Sequence, residues 1–489
     1  MRQDETGRPG TGAADEIARV QAAYEEVAYP AMVCTAGHPD RLAVAARLHG
    51  LSPPPIETAR VLEIGGGDGV NLMALACAYP HAQFLSVDLA PSAVARGRAL
   101  VARTGLDNVR IEQGDIVRLA DDMAGTFDYV IAHGVYAWVP DVVREAVMRL
   151  IGRVLAADGV AFVDYNAMPG GHLRQTLREM MLYRTRGIAD PAERLRVAHE
   201  ALVAFGAPRE GERLFVEALR EHARSTAKKT PAVLHHDELG AFFAPQMLSD
   251  VSAAAAANGL LFLNEADPLG QEDGFAPADE PDADSDAIVR IAQLRDFESM
   301  KFFRQSLFVR AAANPVRRPA VAAVAGLYAA AQCERVDAQV FTHDGGRISI
   351  SDPVFAAALA RLVAAWPARL PVAALALDEE QLTSLHELAG LRFVNLHSVP
   401  REGVAVAGER PVASPLARAQ AEDGAEIVAT LDHMMIAMNE AGPRRFLALL
   451  DGTRDHDEIA VAWATLGLPD GVKVEDALRK FALAALLVA

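Results

Sequence analysis

Between Arg60 and Gly170 short apolar runs alternate with segments of helical character, and this alternation constrains the fold more than any other feature. The runs are RVLEIG, AQFLSVD, NVRIEQGD, FDYVIAHG and VAFVDYNAMPG; the helices among them are NLMALACAY, PSAVARGRALVARTG and PDVVREAVMRLIGRVLAADG. Strands separated by helices of this length build βαβ units, and so an α/β fold with a parallel sheet covered on both faces. Right-handed crossovers then place a ligand site at the carboxyl ends of the strands.

The first strand runs directly into Gly65, Gly67 and Gly69. A phosphate loop would need GxxxxGK followed by Ser or Thr, and no lysine lies near this turn. The dinucleotide fingerprint spaces its glycines GxGxxG. Here the glycines alternate behind Glu63, in the order ExGxGxG. Glu63 and Asp68 crowd the turn with two carboxylates, a poor setting for pyrophosphate and a good one for a cation. The second strand ends in Asp88, which can accept both hydroxyls of a ribose. The third runs into Asp115 and Ile116, a carboxylate for an adenine amino group beside an aliphatic face for its ring. The ligand these residues describe is adenosyl, positively charged and free of phosphate. Asn71, which follows the turn, and Leu89, which follows Asp88, complete the expected set.

VLEIGGGDG, VDLA, QGDI and FDYVIAHG resemble the successive motifs of class I S-adenosylmethionine-dependent methyltransferases. YEEVAYP, HPDRLAVAARLHGL, GVNLMALACAYP, IAHGVYAWVP and DYNAMPGGH resemble a narrower bacterial family. It includes the rickettsial protein-lysine methyltransferases, and its members carry a methyltransferase regulatory domain. HHDELGAFFAP, ANGLLFLNEADP and LRDFESMKFFRQSLFVRA resemble that second domain, and LLDGTRDHDEIA its C-terminal portion. The resemblance begins near Tyr24 and is strongest through about Arg310. It implies a Rossmann-like sheet, S-adenosyl-L-methionine as cofactor, and methyl transfer to lysine amines of a protein or peptide acceptor. The family often has Cys where Gly66 stands and Trp where Gly171 stands. It also implies two further strands, one antiparallel, after the first five. LLFLNEA and FFRQSLFVRAA, beyond a helical insert, are the segments expected to supply them.

Methyl transfer from a sulfonium needs alignment, desolvation and a neutral nucleophile. A lysine amine must lose its proton, to a side chain or through an apolar pocket that lowers its pKa. The expected catalytic residues lie just past the fourth and fifth strands: His133, Tyr136 and Trp138, then Tyr165 and Asn166, with Asp164 beside them. His133 could instead contact the cofactor or orient the backbone, Trp138 could cap the core, Tyr165 could pack under a helix, and Asp164 could point to solvent. Tyr24 and Tyr29 could form a lid or a plain packing helix. His235 and His236 are adjacent, cannot both chelate well and read as an exposed turn, so no metal is expected. The fourth strand lacks the Asn/Asp-Pro-Pro-Tyr ending typical of enzymes acting on exocyclic amines of DNA or on glutamine. Methylation of a small molecule or peptide natural product stays open, as does a binding protein without turnover.

A net charge of −18 and no strong basic patch argue against a nucleic-acid partner. The 3 cysteines are scattered, which fits a reducing compartment. The polar N-terminal residues and the short alanine-rich runs carry no signal or membrane-spanning pattern, so a cytoplasmic protein is expected. A homodimer is allowed. The expected organisation is a flexible tail over 1–20, a catalytic domain with a helical lid over 21–189, and a helical insert over 190–244. A regulatory segment follows over 245–314, then an α-rich C-terminal domain over 315–489 that could hold a winged helix. The acidic stretch DPLGQEDGFAPADEPDADSD is expected to be an exposed loop.

Overall fold

The computed structural model describes residues 12–211, 213–266, 285–317, 319–465 and 473–488. Seven strands form the central sheet: β1 (Arg60–Ile64), β2 (Gln83–Asp88), β3 (Val109–Gln113), β4 (Phe127–Ala132), β5 (Leu155–Asn166), β6 (Leu260–Glu265) and β7 (Phe303–Arg310). Their order is β3-β2-β1-β4-β5-β7-β6. The first five pair in parallel. β7 lies antiparallel between β5 and β6. Two strands contributed after a long helical insert therefore extend the same sheet as the glycine turn.

Side chains alternate across this sheet as the pleat requires. Val61, Tyr129, Ile131, Phe162 and Leu307 enter the core on one face. Leu62, Val130, Val163 and Phe308 enter the core on the other. The covering helices are α1 (Ala13–Glu26), α2 (Pro39–Leu48), α3 (Val70–Ala78), α4 (Pro91–Thr104), α5 (Ile116–Asp122) and α6 (Asp141–Val154). The insert comprises α7 (Gly171–Arg184), α8 (Pro191–Gly206), α9 (Leu214–Thr226) and the short α10 (Pro231–Val233). α11 (Leu248–Ala256) and α12 (Ser285–Ser299) flank β6.

Four expectations change. α1 begins at Ala13, so residues 13–20 are helix and not tail; Asp15 and Glu16 in its first turn favour a helix start there. α5 follows β3, where the sequence suggests no helix; Asp115 caps it, accepting from Val117 N at 2.9 Å. LAADG opens β5 and does not end α6. The His235–His236 turn is a buried π-helical turn, not an exposed one. It is held inside because Glu238 pairs with Arg174 at 2.7 Å and Lys229 at 2.8 Å. Residues 267–284 of the acidic stretch lie outside the described residues, as do 1–11.

Beyond β7 the chain forms two smaller units. In the first, α13 (Pro353–Ala365) and α14 (Glu379–Gly390) pack on short three-stranded sheets. In the second, α15 (Pro415–Glu422) leads into a hairpin of two short strands, Ile427–Ala429 and Met435–Ala437. α16 (Ala441–Leu449), α17 (His456–Thr465) and α18 (Val474–Leu483) complete its core. Arg103 of α4 grips this unit with a forked pair to Asp423 at 2.8 and 2.7 Å and a bond to Ala419 O at 2.7 Å. Among the described residues no helix is long and apolar enough to cross a membrane.

Candidate active site

The glycine turn has the geometry its spacing suggests. Gly65, Gly67 and Gly69 all take positive φ, at 70°, 58° and 75°, a region that costs glycine nothing. A Cβ on Gly65 would lie 2.4 Å from Val135 Cγ2, and one on Gly69 2.2 Å from Ile111 Cδ1. Both close contacts lock the turn onto its surroundings. A Cβ on Gly67 would meet nothing within 4 Å. Gly67 lines a cavity of about 400 Å³, whereas Gly69 serves as the left-handed N-cap of α3. Gly66 has no room for a cysteine without movement: its Cβ would lie 2.2 Å from Ser86 Oγ and 2.5 Å from Glu63 Oε2. Gly171 is likewise closed, with Pro245 Cβ 2.4 Å from the added atom, so no ring fits there.

The sequence reading misses Gly97, which lets α4 approach the turn. A Cβ there would lie 2.3 Å from Asp68 O. The signal was present as a glycine interrupting the helical run PSAVARGRALVARTG.

Four carboxylates converge on the cavity: Glu63, Asp68, Asp88 and Asp115. Asp88 accepts from Gly67 N and Ala90 N, each at 2.8 Å, and so ties the end of β2 to the turn. Burial raises its pKa against these backbone bonds, and raises that of Asp68 against its bond from Val70 N. Leu89 and Ile116 also line the cavity. Glu63 is buried beneath the turn. Its Oε1 accepts from Asn71 Nδ2 at 2.7 Å, while Oε2 is buried with no partner. Burial pushes the Glu63 carboxyl up to about 7, against the pull of the Asn71 bond.

His133 lies at the carboxyl end of β4 on the cavity wall. Its Nδ1 donates to Asp164 Oδ2, and Asp164 Oδ1 accepts from Gly134 N at 2.7 Å. Burial disfavours the imidazolium, but Asp164 and the Cys34 sulfur hold its pKa well above the usual value. Cys34, His133 and Asp164 bring one donor atom each within 4.8 Å of one another. Each Asp164 oxygen accepts one hydrogen bond, and these two bonds orient the His133 ring.

The pleat of β5 separates the remaining candidates. Asp164 and Asn166 share a face, and Asn166 reaches the cavity. Tyr165 points the opposite way into the core beside Tyr136, with ring centroids 6.0 Å apart, and its hydroxyl meets Ser306 Oγ at 3.2 Å. Tyr136 and Tyr165 are therefore core residues and not the catalytic groups expected. Trp138 does line the cavity, with the Arg174 guanidinium 4.8 Å from its ring. Asn71 borders the cavity, but its amide is engaged elsewhere: Nδ2 donates to Glu63, and Oδ1 accepts from Cys34 N at 2.7 Å and from His433 Nε2 at 2.8 Å.

α1 closes one side of the cavity. Tyr24 stacks on His236 at 4.7 Å, and Tyr29 donates to Asp237 Oδ1 at 3.4 Å. Glu25 Oε1 accepts from Ser92 N at 3.0 Å, pinning the helix to the start of α4. His236 Nε2 donates to Val27 O at 2.7 Å, which leaves Nδ1 with its lone pair, and burial lowers its pKa. These residues connect the N-terminal helix to the insert, a pairing no local pattern announces.

Three family models match: a methyltransferase domain over residues 61–159, a predicted methyltransferase regulatory domain over 230–310, and the PKMT C-terminal winged helix domain over 409–467. The chain is 34% identical over 218 residues to protein RP028 of Rickettsia prowazekii, covering 44% of this chain and 87% of that one. It is 31% identical over 288 residues to protein RP789 of the same organism, covering 58% of this chain and 52% of that one. PKMT2 from Rickettsia typhi in complex with AdoHcy has a similar fold, with a TM-score of 0.82 at 23% identity over 94% of this chain and 100% of that one.

Proposed function

The chain belongs to the class I S-adenosylmethionine-dependent methyltransferases that carry a methyltransferase regulatory domain, and from that premise we propose that it N-methylates lysine side chains of a protein acceptor in the cytoplasm. The observation that carries this reading is the continuity of one cavity. Its floor is the acid-lined glycine turn, and its walls include Tyr24, Tyr29, Trp138 and His236. A cation can sit on the floor, and a long apolar stem ending in an amine can enter between the aromatic walls. Similarity to the solved PKMT2 supports lysine as the acceptor class.

S-adenosylmethionine, when bound, supplies a methyl group already activated on a sulfonium. Its expected holders are Asp88 for the ribose, Asp115 and Ile116 for the adenine, and Glu63 and Asp68 for the positive charge. The unpartnered Glu63 Oε2 and the open space at Gly67 fit a ligand there. The lysine amine has an ordinary pKa of ~10.4 and must arrive neutral. Trp138, Tyr24 and Tyr29 remove water around it, which favours the neutral amine. Burial lowers the pKa of His236, and with Nε2 committed to Val27 O its Nδ1 is the atom on this wall placed to take the proton. Asp237, paired with Arg174 at 3.0 Å and Lys229 at 3.2 Å, is already neutralised.

Binding should depend on pH through Glu63. Below about 7 the free carboxyl takes up a proton and loses its attraction for a cation. The bound cation favours the carboxylate, so binding releases a proton. Affinity for S-adenosylmethionine is therefore expected to fall by up to about tenfold per pH unit below that point, and to be flat above it. Calorimetry from about pH 5.5 to about pH 7.5, in buffers of different ionisation heat, reads both effects. Tight binding without pH dependence would remove Glu63 from the site, and no binding at any pH would overturn the cofactor assignment.

A further inference from the structure

The tip of the C-terminal hairpin reaches the underside of the glycine turn. Residues 430–434 join the strands Ile427–Ala429 and Met435–Ala437, within the segment matched by the winged-helix model. His433 stands there at a φ of 57°, in the left-handed region that few non-glycine residues occupy. The tip is tightly made: His433 N donates to Thr430 O at 3.0 Å, and Met434 N donates to Thr430 Oγ1 at 3.2 Å. Thr35 Oγ1 donates to His433 O at 2.8 Å, which fastens the tip to the catalytic domain. The His433 ring is buried, edge-on to His38 with centroids 5.2 Å apart.

Asn71 Oδ1 can only accept, so the 2.8 Å contact fixes His433 as the Nε2–H tautomer. Nδ1 is then an acceptor, buried and without a partner. Such an orphan costs stability, and the ring is kept in place by what its other nitrogen does. Through that bond the path is short. His433 Nε2 holds Asn71 Oδ1 at 2.8 Å, Asn71 Nδ2 holds Glu63 Oε1 at 2.7 Å, and Glu63 leaves Oε2 free beneath Gly66.

We propose that His433 is a positioning residue for cofactor binding: the C-terminal winged-helix unit, through His433 and Asn71, sets the Glu63 carboxylate that faces the cofactor's positive charge. The C-terminal unit is in this way part of the catalytic machinery, and detaching its hairpin would release Glu63. This rests on the reading of the glycine turn as the S-adenosylmethionine site.

The test is a double-mutant cycle on the full chain, with S-adenosylmethionine affinity measured by calorimetry. Wild type must bind; if it does not, the cofactor reading fails before the proposal is reached. His433→Leu, which keeps bulk and removes the donor, is expected to weaken binding about tenfold. His433→Gln, which can still donate, should recover most of that loss. In a Glu63→Gln background His433→Leu should change affinity by less than about twofold, because the residue it acts through is gone. A merely structural role predicts the same loss in both backgrounds, and that outcome overturns the proposal, as does unchanged affinity in His433→Leu itself. Should His433→Leu not fold, Thr35→Val loosens the same hairpin tip, and the same cycle decides with the same two outcomes.

Discussion

Asp88→Ala is expected to weaken S-adenosylmethionine binding by about 1–3 kcal/mol, roughly 5- to 150-fold in Kd. Two losses combine. The carboxylate expected to take the ribose hydroxyls is gone, and Gly67 N and Ala90 N, each now 2.8 Å from an Asp88 oxygen, lose their acceptor. An unpaired donor costs more than the bond itself contributes. Asp88→Asn keeps one acceptor oxygen and should fall between wild type and the alanine variant. Calorimetric titration with S-adenosylmethionine checks the order. An alanine variant with wild-type affinity would show that Asp88 is only a clasp on the turn.

Gly97→Ala should damage both stability and cofactor binding, although alanine is the better helix former by about 0.8–1.0 kcal/mol. The added methyl would sit 2.3 Å from Asp68 O. That atom is backbone and cannot swing aside as a side chain could. Either α4 retreats or the turn deforms, and overpacking of this kind costs about 1–3 kcal/mol, which outweighs the propensity gain. A lower melting temperature together with a raised Kd is expected. A more stable variant with unchanged affinity would show that α4 and the turn have slack between them.

The sequence makes the sheet legible because buried parallel strands read as apolar runs between helices, and the turn legible because glycine is required at its positive φ values. The carboxylates at the ends of β1, β2 and β3 follow from those two facts. What stays hidden has physical causes. Tyr165 and Asn166 are neighbours in sequence, and only the parity of the β5 pleat sends one to the core and the other to the cavity. Gly97 is silent until its helix is laid against Asp68. α5 is short, and its cap, Asp115, reads first as a ligand group. The strand at Tyr328–Ala330, of sequence YAA, has only Tyr328 as a strand former and is held by its partners on both sides. His433 lies 362 residues from Asn71, a distance over which no local pattern can connect them.

The activity proposed for this chain is transfer of methyl groups to protein lysine. Its most direct test is to incubate the purified chain with S-adenosylmethionine labelled in the methyl group and a protein-rich lysate, then hydrolyse the products and identify the labelled species. Label is expected in N-methylated lysine from the protein fraction, reduced roughly 5- to 150-fold when Asp88→Ala replaces the wild type at limiting cofactor. Label confined to nucleic acid or to small molecules, or binding of the cofactor with no transfer to any fraction, would contradict it.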